Sequence, residues 1–427
     1  MEERNYSHLG ETLWCGRLEN GLPVYVIPKP GFQKKFAFFA TNYGGMDMNF
    51  RLDGMAHKTP AGVAHFLEHK MFDTKDGNAL QTLASNGASP NAFTSWDLTG
   101  YYFESTDGFY ENLKVLLSFV SQPWFTQESV DKEQGIIGQE IQMIEDDPEW
   151  MVLQNLLSSL YVNHPIQVSI AGSRASIAEI TADTLYECHR AFYHPGNMVL
   201  CVCGDVEPEK VLSIAREVLP AQRGPKVERD HGPAEPEQAA GSEREQAMAV
   251  SVPICQIGFK ADPAPAGEAH LKQEIVGELL SEALCGASSP LYARLYREGR
   301  INKSFSISYL AYTGCALLCA GGECKDSRAL RDALLAEGQR IAREGIDEAF
   351  FQRLKKASYG SWVRALNSFE TMCISQAQGH FAGVDYLTFP EVFQSVTVDD
   401  LQNAAKAWIR PERTALSVIR PKEEGQA

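Results

Sequence analysis

No stretch of this 427-residue chain approaches the run of about 18 apolar residues that spans a bilayer. Nor does the start, MEERNYSHLG, carry the apolar segment of an export signal, so a soluble, cytoplasmic protein is expected. Positive charge is scarce: 39 Lys and Arg stand against 55 Asp and Glu, a formal net charge of -16. That balance repels nucleic acid and anionic membrane at long range, and neither is expected as a partner. Missing too is any zinc-ribbon spacing among the ten cysteines. Cys201 and Cys203 alternate in "MVLCVCGD", a buried-strand pattern, and Cys315, Cys319 and Cys324 lack a paired Cys-x-x-Cys. All five read as small buried hydrophobes in a reducing compartment.

With 44% hydrophobic residues and 22% charged ones, the chain can bury a substantial core divided into two or three domains. Residues 180 to 204, ITADTLYECHRAFYHPGNMVLCVCG, align without gaps on residues 396 to 420, VTVDDLQNAAKAWIRPERTALSVIR. In each copy a threonine (Thr181, Thr397) can cap a helix that ends before a proline (Pro195, Pro411), and an alternating strand follows. The chain therefore reads as a duplication. Between the copies, residues 221 to 247 are rich in Pro, Gly, Glu and Arg and read as a linker, which sets an N-terminal domain at 1–220 and a C-terminal one at 248–427. Strands are expected in "LPVYVIP", "KFAFFATNYGG", "NAFTSWDLTGYYFES" and "NMVLCVCGDV", and helices near 60–72, 107–121, 126–147 and 150–161. They do not alternate strictly, so the fold class is α+β rather than a doubly wound parallel sheet.

The chemistry concentrates in "GVAHFLEHKMF". His65 and His69 stand at i and i+4 with Glu68 between them, so on a helix all three share one side. Two imidazoles one turn apart can reach one zinc ion, and a glutamate beside the second histidine can take a proton from a water held there. By chance a chain of this composition would hold only about 0.02 copies of H-x-x-E-H. A catalytic zinc usually takes a third protein ligand. Glu133 and Glu140, seven residues apart in "SVDKEQGIIGQEIQMIEDDPEW", lie on one helix face. One can ligate while the other orients a histidine, and their spacing does not choose between them.

These features resemble the M16 family of metallopeptidases, the pitrilysin or insulinase group. The resemblance rests on "HFLEH", Glu133 to Glu140, "NAFTSWDLTGYYFES", "EDDP", "FYHPGNM" with "GDV", and the duplicated halves. It implies two homologous α+β domains, one zinc ion per chain bound by His65, His69 and Glu140, Glu68 as the base, and Glu133 as support behind a ligand. It also implies that Asn91 and Ala92 belong to an edge strand that takes up peptide substrate. Family members carry an Arg and, seven residues on, a Tyr in the second half; here Arg297 is followed at that distance by Ser304, with Tyr309 farther along. The second half also lacks an H-x-x-E-H. The resemblance then implies a zinc-bearing peptidase chain that pairs with a homologous chain supplying the Arg/Tyr pair, the two enclosing a chamber for peptides. Other readings are a non-catalytic assembly subunit and a dedicated leader-peptide protease.

Overall fold

The computed structural model describes residues 1–422. It is α+β throughout, and the chain divides into two compact units.

The first unit comprises residues 1–141, 169–231 and 362–388. Its sheet of seven strands runs, from one edge, Glu2–Tyr6, Glu11–Arg17, Pro23–Pro28, Met198–Gly204, Lys35–Thr41, Thr99–Ser105 and Ala88–Thr94. Met198–Gly204 is parallel to Pro23–Pro28 and antiparallel to Lys35–Thr41, with Leu200 opposite Val24 and Phe39. Both central strands, MVLCVCG and KFAFFAT, are almost continuously apolar because both sheet faces are covered. On one face Tyr101 meets Phe72 and Phe119 from the helices Val63–Met71 and Phe109–Ser121 and their ends. The other face is covered by the helix Phe369–Ala382, whose His380 ring nitrogen meets the Tyr25 hydroxyl at 3.0 Å. This helix comes from the second half of the sequence.

The second unit comprises residues 142–168, 232–361 and 389–427, of which the last five lie outside the described residues. Its sheet runs Glu243–Met248, Thr414–Pro421, Ile254–Ala261, Cys315–Glu323 and Ser306–Tyr312, with the first pair parallel and the rest antiparallel. That is the pairing order of the last five strands of the first sheet. Thr181 and Thr397 both cap helices as expected, Ala182–Phe192 and Val398–Trp408, and each is followed by a one-turn 3-10 helix at its proline and a buried strand. The helix Pro148–Leu160, from the first half of the sequence, packs on the strands Thr414–Pro421 and Ile254–Ala261. Each compact unit thus includes a helix from the opposite half of the chain, and a contiguous division at 220 and 247 does not follow these units.

The segment 221–247 is more regular than its composition predicts. Val227–Arg229 pairs with Asn49–Leu52 in the first unit, and Glu243–Met248 is a strand of the second sheet. Charge fixes it further: Arg229 and His231 both meet Asp47, at 3.0 and 3.1 Å, and Glu235 pairs with the buried Lys260 at 2.6 Å. The Glu2–Tyr6 strand also escaped the hydrophobic pattern, since its side chains are nearly all exposed. The ten cysteines are all free, and only Cys15 is less than fully buried.

Candidate metal centre

The helix Val63–Met71 begins where Gly62 turns left-handed at φ 96°, with a would-be Cβ only 2.7 Å from the Ala171 carbonyl oxygen, so only glycine fits there. From that start two stripes separate. Val63, Phe66, Leu67 and Lys70 are buried, whereas His65, Glu68 and His69 lie on the other side. The helix Gln127–Asp146 supplies the two glutamates, with Val130, Ile137 and Ile141 holding it down.

His65, His69 and Glu140 each offer a ligand atom, all within 4.8 Å of one another, and this is the group that could hold a metal ion among the described residues. Glu140 reaches both histidines: its two oxygens stand 3.4 Å from His65 Nε2 and 3.4 Å from His69 Nε2. Two imidazole nitrogens and a carboxylate gathered this closely are a donor set of the type that zinc takes. Glu133 sits on the far side of His69, its Oε1 accepting from Nδ1–H at 3.1 Å. That hydrogen bond leaves the Nε2 lone pair directed at the group of donors. Of the two glutamates, Glu140 lies beside Nε2 of both rings and Glu133 beside Nδ1 of His69.

Electrostatics agree with the geometry. Burial resists charging His69, but Glu133, Glu140 and Glu68 outweigh it and raise the ring above its ordinary value. His65 pulls the Glu140 carboxyl below its usual range; at Glu133 burial pushes upward, and His69 and Lys70 overcome it. Two imidazoles and two ionised carboxylates crowded together in this way suit a divalent cation.

Glu68 is oriented by a residue the motif did not point to. Thr94 donates its hydroxyl to Glu68 Oε2 at 2.6 Å. Thr94 ends the edge strand Ala88–Thr94, and strand alternation places it on the same side as Ala92, facing the helix. The signal available was the i, i+2 relation of Ala92 and Thr94. Asn91 is exposed on that free edge, where its Oδ1 accepts from the Ala92 backbone N–H at 2.9 Å. In the second unit, Arg297 is exposed in the last turn of the helix Pro290–Arg297. Ser304 serves its own loop: its hydroxyl donates to Asn302 Oδ1 at 2.6 Å and accepts from the Glu323 N–H at 2.9 Å. Tyr309 accepts from Gln273 at 2.8 Å and stacks on Trp408.

Residues 54–174 match the sequence profile of insulinase, peptidase family M16, and residues 179–358 match the peptidase M16 inactive domain. The uncharacterized zinc protease YmfH of Bacillus subtilis is 39% identical over 428 residues, covering 98% of each chain. The chain belongs to peptidase family M16. Another family relative, the uncharacterized zinc protease YmxG of Bacillus subtilis, is 24% identical over 86% of this chain and 91% of its own. An M16-like peptidase from Alicyclobacillus acidocaldarius superposes with a TM-score of 0.93 at 31% identity, covering 96% of this chain and 99% of that one. The periplasmic protease PqqL of Escherichia coli shares the M16 fold at a TM-score of 0.74 and 18% identity, over 99% of this chain but 48% of its own. The range 179–358, matched by the profile named inactive, contains no H-x-x-E-H motif. No helix among the described residues is long and apolar enough to cross a membrane.

Proposed function

We propose that this M16 chain is a zinc-dependent endopeptidase acting on peptides or unfolded polypeptides, with His65, His69 and Glu140 as zinc ligands and Glu68 as general base. The observation that carries the reading is the convergence of the three donor atoms within 4.8 Å beside a glutamate fixed by Thr94. Bound zinc supplies Lewis acidity, lowering the pKa of a water and polarising the scissile carbonyl. Glu68, with Oε2 occupied by the Thr94 hydroxyl, has Oε1 available to accept the water's proton and pass it to the leaving amine. Glu133 keeps His69 in the tautomer that ligates. Substrate adds as a strand along Ala88–Thr94 at Asn91 and Ala92, which exchanges the Asn91 side-chain bond to the Ala92 N–H for a main-chain one. Arg297 is assigned to substrate binding.

The same proposal includes a partner. Ser304, committed to its own loop, offers no phenol, and the peptidase profile proper matches only the first half. A homologous chain carrying the Arg/Tyr pair completes the site and encloses a chamber in the cytoplasm. This chain covers 48% of PqqL, which leaves room in that longer protein for a second body of this size and supports a reading in which two such bodies pair. The deciding experiment is Glu68→Gln assayed with partner present: zinc content stays at one per chain and peptide turnover falls about 100-fold or more. Undiminished turnover overturns the assignment of the base, and a wild-type chain that takes up no zinc overturns the whole reading.

A further inference from the structure

The stripe of the helix Val63–Met71 that faces the core holds one residue that does not belong there by polarity. Lys70 follows Val63, Phe66 and Leu67 at core spacing, and its side chain is 1% exposed. A buried ammonium without partners is strongly disfavoured even after relaxation. Here it has two partners, Asp73 Oδ2 in close contact and Glu133 Oε2 at 3.7 Å. An apolar residue at this core position would avoid the desolvation altogether, so the ion pairs mitigate a cost without accounting for the lysine.

The arrangement of Glu133 does account for it. One carboxylate oxygen accepts from His69 Nδ1 at 3.1 Å while the other faces Lys70 at 3.7 Å, so neighbouring residues of a single helix grip the two ends of one carboxylate. Lys70 is in turn tethered from outside. Asp73 lies in the hairpin formed by Asp73–Thr74 and Gly77–Asn78, which is closed by Thr74 donating to the Gly77 carbonyl at 3.0 Å and by Asn78 capping the next helix. A continuous line of contacts thus runs from a fixed turn through Asp73, Lys70 and Glu133 to the ring of His69.

We propose that Lys70 is a positioning residue of the metal centre: anchored by Asp73, it fixes the Glu133 carboxylate so that His69 presents Nε2 to the metal. The inference rests on the reading of His69 as a ligand. Loss of such support behind a ligand typically weakens metal affinity 10- to 100-fold. The experiment measures zinc dissociation constants by chelator competition for the full chain and for Lys70→Met, Glu133→Gln and the double variant. Lys70→Met is expected to weaken zinc binding about tenfold, with little further loss when it is added to Glu133→Gln, because both act through one carboxylate. Lys70→Arg, which keeps the cation, is expected to recover most of the affinity. Should Lys70→Met not fold, Lys70→Gln tests the same charge with a polar side chain of similar reach.

A zinc affinity within twofold of wild type in Lys70→Met, or losses that simply add in the double variant, overturns the proposal while leaving the metal centre intact. Failure of the underlying reading looks different: His69→Ala would then bind zinc as tightly as wild type. Activity is not needed for any of these comparisons.

Discussion

The strands Ala88–Thr94 and Ser306–Tyr312 hold the same place in the two sheets, each at a free edge with a helix packed beside it, yet the two interfaces are filled differently. In the first unit the helix presents Glu68 to the Thr94 hydroxyl and keeps both histidines 12–26% exposed. In the second, the helix Glu268–Cys285 presents Gly277 to the Tyr309 ring, so closely that a Cβ would lie 2.3 Å from it. Tyr309 then stacks on Trp408, and aromatic packing occupies the space. One scaffold therefore accommodates either a polar, reachable centre or a packed joint at this position. The sheet depends on neither, because its own core lies in the two central strands.

The severest way to break the comparison is to separate the units. A fragment of residues 1–231 retains the H-x-x-E-H helix but lacks the helix Phe369–Ala382 that covers Tyr25 and the strands Met198–Gly204 and Lys35–Thr41. Leaving that face open exposes a broad apolar surface. The fragment is expected to aggregate or remain unfolded, and to be rescued by co-expression with 232–427; a cooperative thermal transition of the fragment alone would contradict this.

Metal removal ranks next. Ligand binding stabilises the state that binds it by RT ln(1 + [L]/Kd), about 4 kcal/mol at a thousandfold excess over Kd. Chelation is expected to abolish peptide cleavage and to raise amide exchange in the helices Val63–Met71 and Gln127–Asp146, leaving the Ile254–Ala261 and Cys315–Glu323 strands of the second unit unchanged. Equal loss of protection in both units would erase the contrast drawn above.

Acid also acts on the first unit. Burial lowers His189 to about 4, although its bond to the Val120 carbonyl opposes this, and burial also lowers His380 to about 4. The unfolded chain binds these protons near pH 6.5 and the folded one does not, so stability is retained above about 6.5, falls as pH drops toward 4, and levels off once the folded state protonates. Each group contributes a slope of at most about 1.4 kcal/mol per pH unit. Denaturant titrations of zinc-free protein between pH 7 and 4 are expected to show this decline, and His189→Gln to flatten it.

The smallest effect is the most local. Thr94→Val keeps the shape of the side chain and removes the hydroxyl that orients Glu68. About a tenfold drop in kcat is expected, in line with one hydrogen bond to a charged group, while zinc affinity holds. A drop in KM-related binding alone would relocate the role of Thr94 to the edge strand.

Much of this was legible in the sequence where the cause is local. The spacing of His65, Glu68 and His69 on one helix, the seven residues from Glu133 to Glu140, and the capped-helix, proline and strand unit repeated at Thr181 and Thr397 all depend on neighbours a few residues away. What depends on packing between distant segments was not legible. Which glutamate meets which ring nitrogen follows from the way Gln127–Asp146 lies on Val63–Met71, and the Thr94 hydroxyl finds Glu68 across a helix–strand joint. The helix Pro148–Leu160 lies close to the expected 150–161, but the sequence does not say which sheet it covers, and Phe369–Ala382 was not among the expected helices.

Those two helices also set a timetable. About 165 residues separate Gly204, which ends the central strand of the first sheet, from Phe369, where its covering helix begins. At a synthesis rate of roughly 5–20 residues per second, the nascent first half waits on the order of ten to thirty seconds on the ribosome with that face open. During the wait the H-x-x-E-H helix and all seven strands of its sheet are already translated while one face of that sheet stays uncovered, so a chaperone that shields the open face would act in this interval.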